Sequence, residues 1–154
     1  MNAAAVALRP EITVKVLQER AGTGLPGLLG LQVADLAEGA LQMQLRIEPR
    51  LLAPNGYLHA ATVIALADTA CGFACIAHLP QGAHNFTTIE LKANFLGTAT
   101  DGSLVAKART LHQGRTTQVW DASVSHLESG RPIAEFRCTQ LVLWPKADRQ
   151  EASR

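Results

Sequence analysis

Asp68 is a lone carboxylate in the most apolar stretch of this 154-residue chain. Between Leu58 and Leu79 no other side chain carries a fixed charge, and only His59 and His78 can take up a proton. Removing an ionised carboxylate from water is costly unless it is paired or used. The position therefore marks a candidate acid or base, with a structural carboxylate bonded to a neighbouring loop as the alternative. The alanine-rich stretch from Leu58 to His78 stops ahead of Pro80 and Gly82, which predicts one long helix. At helical spacing Asp68 aligns with Ala61, Ala65, Gly72 and Cys75, a stripe of small side chains. Val63, Leu66, Ala70 and Phe73 fall on the opposite face. The expectation is bulk toward the core and a shallow groove around the carboxylate. With no cation within a turn, desolvation should raise the Asp68 pKa, which suits a general base near neutrality.

The start of the same helix offers complementary chemistry. Its first amides, at Ala60 and Ala61, have no intrahelical acceptor and lie at the positive end of the helix dipole. They can polarise a carbonyl and hold the oxyanion that forms on attack. Ala60 and Asp68 are separated by roughly 12 Å along a helix axis. Each group, however, must come within about 3 Å of the reacting atoms. One chain cannot supply both, so joint action of the two predicts a site shared across a homodimer.

Other segments must position these groups. Residues 10–21 predict a short helix with Pro10 in its first turn and Gly22 just past its end, and Gly24–Gly27 predicts a turn. Leu41, Met43, Leu45 and Ile47 alternate with polar residues, marking a half-buried strand, with residues 30–37 as its hairpin partner across Glu38-Gly39. After the long helix, Ile89, Leu91, Ala93 and Phe95 alternate with Thr88, Glu90, Lys92 and Asn94. Further strands are predicted at 103–111, 116–127 and 132–143, each after a glycine-containing turn. Thr117, Asp121, Ser123 and Ser125 share one face of the 116–127 strand, which reads as half-exposed. A helix apolar nearly all round must be covered on most sides. The fold class is thus α+β: a curved antiparallel sheet of five to six strands wrapped around one long central helix. Residues 1–29 form a helix and turn preceding the domain, 30–145 the domain, and 146–154 a frayed charged tail.

Bulk composition removes several function classes. A net charge of +1, with two Trp, one Tyr and four Phe, gives neither a basic footprint nor a stacking platform for nucleic acid. Only 18% of residues are charged, a thin polar surface that hints at coverage by another subunit. Cys71, Cys75 and Cys138 have neither disulfide nor metal-ligand spacing and read as reduced, buried thiols. No basic residue precedes the apolar start, and no run reaches membrane-spanning length once Asp68 is counted. The expectation is a cytoplasmic protein with no metal and no membrane partner.

Taken together, Asn55-Gly-x-x-His59, Leu-Ala-Asp68-Thr with its Asp68 nine residues beyond that histidine, Thr87-Thr-Ile-Glu-Leu-Lys-Ala-Asn-Phe-Leu96, Gly114-Arg115 and Gly130-Arg131 are specific. Over residues 30–143 the chain resembles the hotdog-fold thioesterases and, within them, the PaaI-like acyl-CoA thioesterases. The resemblance implies hydrolysis of an acyl-CoA, with Asp68 as general base or nucleophile and the Ala60 amide of a partner subunit as oxyanion donor. It implies that Asn55 or His59 positions the thioester or water, and that Thr88 orients the nucleophile. It further implies side-by-side dimers, often paired into tetramers, and no cofactor beyond the coenzyme A carried by the substrate. Arg115, Lys92 and Arg137 are candidate contacts for its phosphates. The family's His-Gly-Gly is here His59-Ala60-Ala61, whose methyls can crowd a ligand that needs close backbone approach. Plainer roles stand beside these: His59 as helix cap, Asn55-Gly56 as turn, Thr88 as strand former, the basic residues as solvated surface. A non-catalytic acyl- or aromatic-CoA-binding module is the alternative function, and a hotdog hydratase or dehydratase a weaker one.

Overall fold

The computed structural model describes residues 7–145; the tail over 146–154 lies outside the described residues. Helix α1 (Val14–Ala21) begins later than Pro10. Thr13 caps it, its side chain accepting from the Val16 N–H at 3.3 Å. Pro10 sits instead in a turn closed by the Ile12 N–H on the Arg9 carbonyl. Residues 24–27, expected as a turn, belong instead to a short helix α2 (Gly24–Leu29), with Pro26 early enough to be tolerated. The segment before residue 30 belongs to the same core, since Ile12, Leu17 and Ala21 are buried in it.

Strands β1 (Gln32–Ala37) and β2 (Ala40–Arg46) form the expected hairpin, with Gly39 at φ +68° in its turn. A 3-10 turn at Pro49–Leu51 leads to α3 (Ala60–Ala77), and β3 (Asn85–Phe95), β4 (Ser103–Gln113), β5 (Thr117–His126) and β6 (Pro132–Leu143) follow. All strands pair antiparallel in the order β1-β2-β4-β5-β6-β3. This is the predicted α+β hotdog architecture: a single six-stranded sheet around one helix. Alternate residues of β5, from Gln118 to His126, are buried, and Thr117, Asp121, Ser123 and Ser125 are half-exposed on the other side. By length and composition α3 could span a bilayer even with Asp68, contrary to the sequence expectation, but the sheet buries much of it as a core helix.

Two details of the helix and edge strand differ from the pattern. The small-residue stripe is not one groove: the Phe86 ring covers Gly72, where a Cβ would lie 2.8 Å from its Cζ, and Cys75 is fully buried. Phe73, assigned to the core face, is only half-buried. On β3, Leu91, Ala93 and Phe95 pair with Cys138, Phe136 and Ala134, whose side chains face the core. Yet Ile89, Leu91 and Phe95 remain 55%, 42% and 46% exposed. The reason is topological. β3 is an edge strand, so its apolar face has sheet on one side only, and a bulge between Thr88 and Glu90 shifts its register.

The far end of α3 is tied down by buried polar groups. His78 is 0% exposed; its Nδ1–H donates to the Ala74 carbonyl at 2.8 Å and its Nε2 accepts from the Gly39 N–H at 2.9 Å. The Gln118 amide donates to the His78 carbonyl at 2.7 Å and accepts from the Trp120 indole at 2.9 Å. Only neutral His78 fits, because protonating Nε2 would set one N–H against another. Burial pushes its pKa below 6.5, against smaller upward effects from the Ala74 carbonyl and Glu38. The unfolded chain thus gains a proton that the fold resists. Stability contributed by neutral His78 is present above about pH 6.5 and is lost as pH falls below it. Chemical-denaturation midpoints measured from pH 8 to pH 5 should fall on the acid side, and His78→Gln should flatten that fall.

Candidate active site

Asp68 lies midway along α3 on the half-buried side of the helix, level with the edge strand. The Thr88 hydroxyl of β3 reaches its Oδ1 at 3.3 Å and the Gln140 Oε1 of β6 at 2.9 Å. Burial raises the Asp68 pKa above 3.8, and the Thr88 bond opposes that rise in part. The expected pairing of Asp68 with Thr88 is therefore present, and the carboxylate keeps an open side.

The start of α3 is a separate locus. His59 is the N-cap: its Nδ1 accepts from the Ala61 N–H at 3.0 Å, which directs the hydrogen of the neutral ring to Nε2. Among the described residues no acceptor bonds the Ala60 N–H, and Ala60 is exposed. Beside it lies an apolar cavity of about 300 Å³, walled by Leu25 and Leu29 of α2, Leu51 and Leu52 of the preceding loop, and Ala61 and Ala65 of α3. Asn55 is exposed in that loop, its Oδ1 accepting from the Tyr57 N–H at 3.2 Å as an Asx turn. The chain thus brings Thr88 to Asp68, while His59 and Ala60 lie at the start of the same helix and Asn55 in the loop that leads to it.

The three basic candidates do not converge within one chain. Lys92 and Arg137 are cross-strand partners on the outer face of the sheet, away from Asp68. Lys92 donates to Asn94 at 2.9 Å, and Arg137 makes a two-pronged pair with Asp121, its Nη2 donating at 2.8 Å. Arg115 stacks over the Trp144 ring, 4.9 Å from its centroid. Two features escaped the sequence reading. The α2 wall stands where the sequence predicts only a turn at Gly24–Gly27. Gln140 was detectable in principle, as a polar side chain at an inward position between Cys138 and Val142.

Residues 55–133 match the Thioesterase superfamily. A protein of Listeria monocytogenes named 1,4-dihydroxy-2-naphthoyl-CoA hydrolase is 28% identical, over 75% of this chain and 93% of its own. The crystal structure of a mutant thioesterase from Pseudomonas aeruginosa is 27% identical, with a TM-score of 0.83 over 89% of this chain and 98% of that one. The PaaI protein of Escherichia coli shares the fold, at 24% identity and a TM-score of 0.73 over 81% of this chain and 88% of that one. The matched segment spans all of α3 and strands β3 to β5, and on these grounds the chain belongs to the thioesterase superfamily, in its hotdog fold.

Proposed function

We propose that this protein hydrolyses acyl-CoA thioesters at a site completed by a second copy of the chain. The observation that carries the reading is the division of labour along α3. A half-buried carboxylate with a raised pKa lies at its middle, and an unbonded amide lies eight residues away at its start. In this mechanism Asp68 takes a proton from water as the water oxygen attacks the thioester carbon. The Ala60 amide of the partner subunit holds the resulting oxyanion. Collapse expels the coenzyme A thiolate, which recovers the proton from Asp68 and leaves the free acid. Thr88 orients the carboxylate. His59, whose Nε2–H points away from its capping bond, adds a donor toward the carbonyl, and Asn55 shapes the loop that leads to it.

The homodimer is supported by the apolar edge of β3, where Ile89, Leu91, Phe95 and the adjoining Leu96 are exposed. An uncovered edge of this kind pairs readily with its own copy. Arg115, Lys92 and Arg137 then serve phosphates only if the coenzyme A runs along the outer surface or across the dimer. Three free buried thiols fit a reducing compartment such as the cytoplasm; burial pushes that of Cys75 up to about 12. The route needs no cofactor. The test is release of free thiol from a panel of aromatic, short- and long-chain acyl-CoAs, the aromatic members chosen for the name of the Listeria relative. Turnover of at least one class supports the proposal. Acyl-CoAs that raise the melting temperature with no thiol released would instead establish a binding module.

A further inference from the structure

Thr88 has one hydroxyl hydrogen and two acceptors in reach, Asp68 Oδ1 at 3.3 Å and Gln140 Oε1 at 2.9 Å. Gln140 is 0% exposed, and its amide nitrogen donates to Cys138 Sγ at 3.2 Å. Cys138 is itself fully buried, as is Cys71, one turn along α3 from Asp68. A continuous chain of polar groups therefore runs from the carboxylate into the core. Each member after Asp68 can both donate and accept.

We infer that Gln140 is a positioning residue that follows the protonation of Asp68 through Thr88, reversing the direction of this hydrogen-bond chain as the carboxyl gains or loses its proton. With Asp68 protonated, its O–H donates to Thr88, Thr88 to Gln140 Oε1, and the Gln140 amide nitrogen to Cys138. With Asp68 ionised, Thr88 turns its hydrogen to the carboxylate. Gln140 then rotates its amide to donate to Thr88, and the Cys138 thiol donates to Gln140 Oε1. No proton changes owner except the one on Asp68. Glutamine suits the task because its two ends are nearly the same shape and of opposite hydrogen-bonding sense. A buried site also strongly penalises a group left unpaired in either state.

Around Asp68 the neighbouring elements offer few competing titrations. On α3 the next titratable group is Cys71, whose thiol is raised well above its usual value and stays neutral. β6 brings Cys138. Glu90 of β3 contacts Thr139, and Asp121 of β5 pairs with Arg137, both exposed interactions on the outer face.

This inference rests on Asp68 as the working carboxylate, but its test does not require turnover. In the unmodified protein, the side-chain amide resonances of Gln140 should titrate with the same midpoint as the Asp68 carboxyl carbon. Gln140 resonances that stay flat while Asp68 titrates would overturn the inference, whether or not the protein hydrolyses thioesters. Where turnover is present, variants add a second arm. Gln140→Met leaves the carboxylate as the only acceptor for Thr88 and should move the acid limb of kcat/KM to lower pH by about half to one unit, the size of one exchanged hydrogen bond. Thr88→Val should move it to higher pH, and the double variant should match Thr88→Val alone. A purely structural Gln140 predicts lower stability with no change in the limb, and an additive double variant would likewise contradict the relay.

Discussion

Replacing Asp68 with asparagine should lower kcat by about 10²- to 10⁴-fold, the usual contribution of a positioned general base, while leaving the protein at least as stable as the wild type. The two effects share one cause. Burial raises the Asp68 pKa, so holding the carboxylate ionised at neutral pH works against folding. Asparagine has nearly the same shape, still meets the Thr88 hydroxyl, and carries no charge to desolvate. The sign follows from linkage. The native pKa lies above the unfolded one, so the penalty is fully present above the native pKa and disappears once both states are protonated, below about pH 3.8. The stability gain of Asp68→Asn should therefore be largest near neutrality and shrink in acid. Wild-type activity should fall along the same acid limb. Full activity in the variant would remove the carboxylate from the chemistry.

Ala60→Pro should lower kcat by about 10²- to 10³-fold, the cost of removing one oxyanion donor. Deleting a backbone N–H is ordinarily destructive, but this position tolerates it. Ala60 is the first residue of α3, where proline is favoured and the amide has no helical partner. His59 has φ −68° and ψ 132°, the extended conformation that a residue before proline prefers. The methyl is exposed, so the ring enters open space. Ala60→Gly, which keeps the N–H, should stay active and separates loss of the donor from change of the side chain. Equal activity in Ala60→Pro and wild type would show that the amide does not hold the oxyanion.

The candidate site was legible in part: residue types alone point to Asp68 and the Ala60 amide, and the family resemblance adds Asn55, His59 and Thr88. A single charge in an apolar helix pointed to Asp68, and the strand alternations located β2 to β6 to within a few residues. Alternation also placed Ile89, Leu91, Ala93 and Phe95 on one face; the bulge at Ile89 interrupts that set, and a local pattern cannot say whether a face is covered. That depends on β3 being the edge beside β6, a pairing between segments some 45 residues apart. The helix start at Val14 was missed because Pro10 is an equally good first-turn residue, and the outcome was decided by a tertiary contact, the Arg9 N–H on the Ala77 carbonyl at 2.8 Å. Gln140 was missed for the same kind of reason: its meaning comes from facing Thr88 across the β3–β6 pairing.

The shared site can be tested by mixing two defective chains. Asp68→Asn lacks the base but keeps the amide, whereas Ala60→Pro lacks the amide but keeps the base. Each homodimer should be nearly inactive. Co-refolding the two in equal amounts should restore about a quarter of wild-type activity, because half the dimers are mixed and each holds one intact site of two. A mixture no more active than the mean of its parents, with mixed dimers present by native mass spectrometry, would contradict a site built from two chains.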